Sequence, residues 1–242
     1  MRLNKLCRDK LSLIPLERLE SEDVQDWIDR QSISAGSILR ELNLIQAVLR
    51  EARRWRWTNI ELRDLKKPQE PRHRERLITP EEIQILVDSA NTLPEGSKSL
   101  IVLLVFQVAL ETAMRKGEIL NLTWENVYLD RRFVHLPDTK NGKPRNVPLS
   151  TKAIELLTLM VPKQSGRVFV INSGSFDTLF RKLRKKAKLS GFTFHDTRHT
   201  ATTRLASKFT LLELARITGH TDPRSLMIYY NPTPEMLASK LD

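Results

Sequence analysis

The segment "ALETAMRKGEIL", residues 109–120, marks an abrupt change of character along the chain. Residues 98–111, which lead into it, are almost continuously apolar and predict a helix that is buried on all sides. Arg115 follows directly, where the chain turns toward a new element. An arginine in this place is a candidate ligand for an anion, although a structural ion pair is the commoner role for any one such residue.

The composition indicates a globular chain with a polyanionic partner. The 242 residues are 40% hydrophobic, which is enough for a proper core, and their formal net charge is +11. The excess is uneven, because residues 1–70 hold 14 Lys/Arg against 12 Asp/Glu while the remainder holds 26 against 17. Such an excess favours nucleic acid as the partner, the alternative being a merely basic protein.

The cysteine and apolar content favour a cytoplasmic location. Cys7 is the only cysteine, so no internal disulfide can form, and a reducing compartment fits. The start of the chain lacks the apolar core of a signal peptide, and the longest apolar run, Leu100 to Phe106, is too short for a membrane span. We therefore expect a cytoplasmic protein without a membrane partner.

The hydrophobic periodicity predicts a mainly α-helical chain with a small antiparallel β-sheet, an α+β fold in two domains. In the first, residues 1–70, apolar side chains from Ile38 to Ala52 recur in steps of three and four. Residues 66–76, "KKPQEPRHRER", have no periodicity and contain two prolines, which predicts a basic interdomain linker. The second domain is expected over residues 77–242.

The sheet is predicted from one turn signal. The segment "RRFVHLPDTKNGKPRNVPL" contains two short extended runs around Asn141-Gly142. This pair favours the positive φ angles of a type I′ hairpin turn. Lys140 and Lys143 flank the turn, so the hairpin would present two cations at its tip.

Three groups of cations are candidate DNA contacts, with a solvated surface as the alternative for each. One lies at the end of the long helix of the first domain, one lies in the linker, and one lies on the polar face of a helix predicted over 175–188. Their members are Arg53, Arg54 and Arg56; Arg72 and Arg74; and Arg181, Lys182, Arg184 and Lys185.

Three histidines, His195, His199 and His220, cluster late in the chain. The spacing of His195 and His199 would put two imidazoles on one helix face, as in some zinc sites. The residue after His195 is Asp196 rather than the glutamate of the zinc-protease motif, and no cysteine ligand is near. We therefore predict no metal site.

The polar residues fit the chemistry of a phosphodiester instead. Two arginines can meet the charge that rises on the non-bridging oxygens in the transition state. A tyrosine hydroxyl can attack the phosphorus if a neighbour accepts its proton, and a lysine or histidine can protonate the leaving 5′ oxygen. The candidates for these tasks are Arg115, Arg198, Lys140, His195, His220 and a tyrosine near the C-terminus.

Four segments, in order, resemble the conserved boxes of the tyrosine recombinases, also called phage-type integrases. "ETAMRKGEILNLTWENV" is similar to the first arginine box and "DTKNGKPRNVPL" to the hairpin that carries a lysine. "HDTRHTATTRLA" is similar to the His-x-x-Arg-His box, and "ITGHTDPRSLMIYY" to the final Gly-His and tyrosine box. The matching residues are Arg115, Lys140, His195, Arg198, His220 and Tyr229, the last standing nine residues after His220.

The resemblance implies a helical core-binding domain followed by a catalytic domain that cuts and rejoins double-stranded DNA without a cofactor, in a bacterial or phage context. Tyr229 would form a 3′-phosphotyrosyl link, Arg115 and Arg198 would hold the phosphate, and Lys140 would protonate the leaving oxygen. His195 would assist proton transfer and His220 would hydrogen-bond the phosphate. The family works as a homotetramer on two DNA sites, and a monomer is expected without DNA.

The sequence departs from the family pattern at Ala113, where the first box usually has glycine. Two tyrosines, Tyr229 and Tyr230, stand side by side, and we expect Tyr229 to face the phosphate while Tyr230 packs the segment down. A type IB topoisomerase and a non-catalytic helical DNA-binding protein remain as alternatives. The first shares much of the chemistry, and the second shares only the helices and the basic faces.

Overall fold

The computed structural model describes residues 2–69, 76–137, 143–230, 234–238 and 241. The chain forms two compact units, residues 1–74 and residues 75–242, each with its own apolar core. Among the described residues, no helix combines the length and the apolar character needed to cross a membrane.

The N-terminal unit is a small group of helices. Its core contains Val24, Trp27 and Leu42, which lie on facing helices and are almost completely buried. The apolar stripe predicted from Ile38 to Ala52 is confirmed, because these residues face that core along one long helix. The elements are helix α1 (Arg2–Leu6), a 3-10 helix (Lys10–Leu13), α2 (Ser21–Asp29) and α3 (Ala35–Arg54).

The C-terminal unit is also mainly helical, as predicted, with one small sheet. Its helices are α4 (Pro80–Asn91), α5 (Lys98–Thr112), α6 (Lys116–Leu120), α7 (Thr151–Thr158), α8 (Ser173–Lys186), α9 (His195–Ala206), α10 (Leu211–Thr218) and α11 (Pro234–Ala238). Two 3-10 helices, Trp124–Asn126 and Pro223–Tyr229, complete the described helical elements.

Helix α5 is the centre of this unit. It packs against α4, α7, α8 and α9, so most of its surface is covered, and the prediction of a helix buried on all sides is confirmed. The helix ends at Ala113, which adopts the left-handed conformation with φ of 53°. A left-handed residue at this position is a common helix stop, usually filled by glycine, and it redirects the chain just before Arg115.

The sheet has three antiparallel strands in the order β1-β2-β3: β1 (Val127–Tyr128), β2 (Phe133–Leu136) and β3 (Arg145–Pro148). In the hairpin, Phe133 lies opposite Pro148 and Leu136 lies opposite Arg145. The predicted turn at Asn141-Gly142 and the predicted catalytic Lys140 lie outside the described residues.

Helix α10 carries the chain back to the sheet. It begins with a capping box between Thr210 and Glu213 and ends at Gly219, whose φ of 71° is the left-handed value that favours glycine. Beyond it, the 3-10 helix Pro223–Tyr229 packs through Leu226 against a small apolar cluster that α9 and α10 help to form. This arrangement brings the end of α10 and the last 3-10 helix close to α9.

Candidate active site

Arg115 is held at the start of α6 by a carboxylate of the same helix. The backbone N–H of Arg115 donates to Oε2 of Glu118 at 2.7 Å, and its Nη1 donates to Oε1 at 3.0 Å. This is the pattern of a capping box, which satisfies an N–H that would otherwise lack a partner at the helix start. The Arg115 side chain is therefore fixed while part of it remains accessible to solvent.

Arg198 rises from the first turn of α9 and is only 7% exposed. Its Nη1 donates to the carbonyl oxygen of Ala113 and its Nη2 to that of Thr218, each at 2.6 Å. Both acceptors lie where a helix ends, at α5 and at α10, and carbonyls there have no partner within their own helix. Two helix ends thus orient one guanidinium.

The charge of Arg198 is costly in this position. Burial first, and then the neighbouring Arg115, lower the pKa of Arg198 to about 10. The guanidinium still carries its charge at neutral pH. It is therefore a cation with few water contacts, and an anion that entered the site would relieve this cost.

Arg115, His195 and Arg198 line one pocket of about 270 Å³, together with residues at the start of α9. His195 is the first residue of α9 and its side chain is exposed at the rim. The two guanidinium groups can bind an anion of the size of a phosphate in this open pocket. The imidazole can exchange protons with it.

His220 stands two residues beyond Thr218, the last residue of α10. Its Nδ1 lies 2.6 Å from Oγ1 of Thr218, and the same hydroxyl is 2.6 Å from the carbonyl of Leu214. The hydroxyl has one proton and can donate it to only one of these partners. The carbonyl of Leu214 can only accept, so the hydroxyl donates to it, and neutral His220 donates its Nδ1–H to Oγ1 and leaves Nε2 as an acceptor. Nε2 can donate to a phosphate oxygen once the bound anion favours a second proton on the ring.

The ring of His220 is kept neutral. Burial lowers the pKa of His220, the three arginines Arg198, Arg115 and Arg145 lower it further, and the resulting pKa is about 4. A positively charged imidazole would repel these cations. Before DNA binds, His220 is therefore a neutral hydrogen-bonding group and not a further cation.

Tyr229 is half-buried at the end of the last 3-10 helix. Its ring packs against the small cluster of Ala206, Leu214, Ala215 and Leu226, and it meets the ring of His199 edge to face. Burial raises the pKa of Tyr229, whereas the charge of Arg198 lowers it. Packing is therefore not left to Tyr230 alone, because the ring of Tyr229 covers this cluster, and the packing role expected for the half-buried Tyr230 stays a prediction.

Arg145 is the main feature of the site that the sequence did not point to. Its guanidinium pairs with both oxygens of Glu118 at 2.8 Å, and its Nε donates to the carbonyl of Ile217 at 3.0 Å. In the sequence, Arg145 is one of several cations around a turn. Only the strand register, which sets it opposite Leu136, turns its side chain toward α6 and α10.

The candidate DNA-contact residues differ in how they are placed. Arg53, Arg54 and Arg56 are exposed at the end of α3, beside the exposed rings of Trp55 and Trp57. Arg72 and Arg74 lie outside the described residues. These five arginines stay predictions.

The basic face of α8 is partly different from the prediction. Arg181, Lys182 and Lys185 are exposed. The guanidinium of Arg184 instead lies over the rings of Phe180 and Phe192, at 5.7 Å and 5.2 Å from the centroids. Attraction to these rings and the burial of its alkyl stem hold Arg184 against the aromatic core, away from the face we expected it to share.

Within the described ranges, no group of three or more His, Cys, Asp or Glu residues could hold a metal ion. His199 instead contacts Tyr229, a relationship that the sequence pattern did not suggest.

Comparison with known proteins places this site in context. The model of the phage integrase family matches residues 76–236. A protein of Haemophilus influenzae named "Putative integrase/recombinase" is 34% identical over all of this chain and 82% of its own length. The shufflon-specific DNA recombinase of Escherichia coli is 31% identical, and this chain spans 65% of its length.

Solved structures share the fold at low sequence identity. The Tn1549 transposon integrase, in complex with circular intermediate DNA, superposes with a TM-score of 0.75 and 18% identity, over 99% of this chain and 90% of that chain. A lambda integrase dimer bound to a core site gives a TM-score of 0.74 and 17% identity, over 95% and 87% of the two chains. These likenesses concern the fold.

Proposed function

Because this chain belongs to the phage integrase family of site-specific tyrosine recombinases, which act on DNA, we propose that it cuts and rejoins DNA strands through a 3′-phosphotyrosyl intermediate. Membership in this family favours recombination over both alternatives considered from the sequence, a type IB topoisomerase and a non-catalytic DNA-binding protein. The proposal concerns the intermediate and the residues that form it.

The observation that supports the proposal most directly is that Arg198, which lines the pocket, also acts electrostatically on Tyr229. Arg115, His195 and Arg198 line the pocket, and the charge of Arg198 lowers the pKa of the Tyr229 hydroxyl against the opposite effect of burial. His220 is held at the end of α10, which also supplies a carbonyl to Arg198. We propose that a scissile phosphate bound by Arg115 and Arg198 also contacts His195, His220 and Tyr229.

In the first step, Oη of Tyr229 attacks the scissile phosphorus. The Oη–P bond forms as the bond from phosphorus to the 5′ oxygen breaks. His195 accepts the tyrosine proton, and Lys140 supplies a proton to the leaving oxygen, which becomes a free 5′-hydroxyl. Arg115 and Arg198 stabilise the charge on the non-bridging oxygens, and His220 donates a hydrogen bond to one of them.

In the second step, the 5′-hydroxyl of a partner strand attacks the phosphotyrosyl phosphorus and displaces Tyr229. Over the two steps together, one DNA phosphodiester bond is broken and one is formed, and the phosphotyrosyl bond conserves the energy between them. The reaction therefore requires neither a nucleotide cofactor nor an external energy source. Proton transfers run in reverse through the same residues.

We propose that the N-terminal unit is a core-binding domain, which binds DNA away from the phosphate that is cleaved. Its exposed Arg53, Arg54 and Arg56, and Arg72 and Arg74 of the linker, would contact the phosphate backbone together with Arg181, Lys182 and Lys185 of α8. Such contacts fix the position of the protein on the duplex. They also make binding weaken as the salt concentration rises.

Strand exchange needs two DNA sites, and we propose that four copies of the chain assemble on them. The lambda integrase structure mentioned above contains a dimer on one core site, which is half of such an assembly. Without DNA we expect a monomer. The DNA of a bacterial cytoplasm is the substrate we propose.

A test does not require the target sequence. Duplex DNA with randomised sequence and sparse random nicks is incubated with the protein, because a nick near the cleaved bond lets the freed strand end diffuse away and traps the intermediate. Complexes that survive boiling in detergent are recovered, and the DNA ends attached to protein are sequenced. The expected result is a set of 3′ ends that share a short consensus sequence.

The matched variants are Tyr229→Phe and Tyr230→Phe. The first should abolish the adduct and the second should leave most of it. Adducts that Tyr229→Phe forms as well as the wild type would overturn the assignment of the nucleophile. An absence of adduct from the wild type would overturn the proposed intermediate altogether.

A further inference from the structure

Arg145 is linked to Arg115 of the pocket through their shared partner Glu118, and its own side chain is only 8% exposed. Its Nη1 and Nη2 donate to Oε1 and Oε2 of Glu118, both at 2.8 Å, and its Nε donates to the carbonyl of Ile217 at 3.0 Å. This fork-to-fork pairing fixes the plane of the guanidinium as well as its position. Three of its five N–H groups are used within the protein and the side chain is buried, so these contacts indicate a structural role for Arg145 and not a phosphate contact.

Glu118 is shared between Arg145 and Arg115. Oε1 accepts from Nη1 of both arginines, and Oε2 accepts from Nη2 of Arg145 and from the backbone N–H of Arg115. A carboxylate has about four acceptor sites, so Glu118 has no site left over. Movement of Arg145 would therefore pull directly on the group that orients Arg115.

Arg145 also fixes the end of α10. Its Nε takes the carbonyl of Ile217, while Arg198 takes the next carbonyl, that of Thr218. Cations at a helix C-terminus are favourable because the last carbonyls lack partners and carry partial negative charge. His220 follows two residues later, so the place of its ring depends on where this helix end is held.

Gly219 shows how closely the guanidinium fits. A Cβ atom at this position would lie 2.9 Å from Nη1 of Arg145 and 3.0 Å from its Cδ and Cζ. Side-chain carbons do not approach other atoms so closely. Gly219 therefore serves the left-handed turn and, in addition, leaves room for the Arg145 fork between α10 and the sheet.

We propose that Arg145 is a positioning residue that locks the start of α6 and the end of α10 together, so that Arg115 and His220 meet the same phosphate. The roles of Arg115 and His220 in this statement rest on the proposed function. Arg145 acts through Glu118 and the Ile217 carbonyl and does not touch the reacting atoms. Strand β3 thereby supplies a residue that organises the site, in addition to forming one side of the hairpin.

The first variant is Arg145→Lys, which keeps the charge but loses the fork. At saturating DNA, the single-turnover rate of adduct formation should fall about 10- to 100-fold, because a small misplacement of aligned groups has effects of this size. The dissociation constant for DNA should change less than about threefold, since the backbone contacts are untouched. Arg132→Lys, on the exposed loop before β2, is the control and should keep the wild-type rate.

The second variant is Gly219→Ala, which leaves Arg145 in the chain but displaces it. Gly96→Ala is its matched control, because Gly96 has a similar φ of 77° but no atom within 4 Å of the added Cβ. Both substitutions carry the same backbone strain. Only Gly219→Ala should slow adduct formation, and this comparison remains informative if Arg145→Lys fails to fold.

A readout without DNA separates the two proposals. The imidazole signals of His220, followed by NMR, should shift and change their titration in both Arg145→Lys and Gly219→Ala, and should match the wild type in both controls. Unchanged His220 signals, or a wild-type rate in Arg145→Lys, would overturn the positioning role. If the wild type forms no adduct, the proposed function fails, while the NMR comparison still tests the positioning of His220.

Discussion

The rings of His199 and Tyr229 meet edge to face, with their centroids 4.9 Å apart and their planes 71° apart. His199 belongs to α9, the helix that also carries His195 and Arg198, and Tyr229 ends the 3-10 helix that follows α10. The contact therefore ties the proposed nucleophile to the helix that holds the proposed phosphate ligands.

Loss of this contact should slow DNA cleavage. An aromatic pair contributes about 1 kcal/mol beyond the area it buries, so His199→Ala should reduce the rate of adduct formation roughly fivefold at saturating DNA. His199→Phe keeps a ring at this place and should retain more activity than His199→Ala. Rates of adduct formation measured for the two variants side by side check the prediction, and equal losses would show that ring packing is not the role of His199.

The hydroxyl of Thr218 should set the tautomer of His220. Thr218→Val keeps the shape of this fully buried side chain and removes the hydroxyl oxygen that accepts from Nδ1–H of His220. The substitution removes the contacts of the hydroxyl with His220 and with the carbonyl of Leu214, each worth about 1 kcal/mol, so cleavage should slow several-fold and the free energy of unfolding should fall by about 1–2 kcal/mol.

Thr218→Ser is the control for that variant, because it keeps the hydroxyl. Its cleavage rate should stay within about twofold of the wild type. Equal cleavage rates for Thr218→Val and Thr218→Ser would show that the Thr218 hydroxyl does not set the tautomer of His220.

The stability of the free protein should depend on pH through His220. Its pKa is lowered to about 4 in the folded state, against about 6.5 for an unperturbed histidine. Below pH 6.5 the unfolded chain binds the proton more readily, so the free energy of unfolding falls as the pH drops from about 6.5 to 4. Because the side chain is partly exposed, we expect a loss on the order of 1–2 kcal/mol.

Urea unfolding between pH 7 and pH 4 measures this loss. Other groups also titrate in the range, so the quantity of interest is the difference between the wild type and His220→Gln, which should be largest near neutral pH and shrink toward pH 4. Parallel profiles for wild type and His220→Gln would contradict the prediction.

The end of α3 should report DNA binding by fluorescence. Trp55 and Trp57 are 65% and 64% exposed and lie among the candidate arginines, whereas Trp27 and Trp124 are 1% and 6% exposed. DNA should therefore protect the exposed pair from quenching by acrylamide without affecting the buried pair. Trp55→Phe and Trp57→Phe together should remove most of the protected signal.

Arg54→Ala should weaken binding to all sequences alike and reduce the salt dependence by about one counterion, as expected for a phosphate contact. Arg132→Ala is a matched surface control in the other unit. If quenching of Trp55 and Trp57 is the same with and without DNA, this end of α3 is not part of the DNA-binding surface.

Much of the fold followed from the sequence because its signals are local. The buried helix α5, the capping box of α10 and the stripe of α3 each depend on residues within a few turns, and all are present. Arg115 could also be singled out locally, since it comes directly after a helix stop.

What could not be predicted depends on contacts between distant segments. Arg145 reaches Glu118 and Ile217 only through the sheet register and the return of α10, and neither leaves a trace in the local sequence. Arg184 was predicted on a cationic face, but its guanidinium lies over the ring of Phe192, from the loop before α9. Tyr229 was expected to leave packing to its neighbour, and the apolar cluster under it was not visible from spacing.

The identity of the nucleophile is the central claim, and peptide mapping tests it most directly. The trapped adduct is digested with nuclease and trypsin, and the fragment that begins at Ser225 is sequenced by tandem mass spectrometry, which distinguishes the adjacent Tyr229 and Tyr230. We predict a nucleotide residue attached to Tyr229. Attachment to Tyr230, to Tyr128 or to any other side chain would contradict the account.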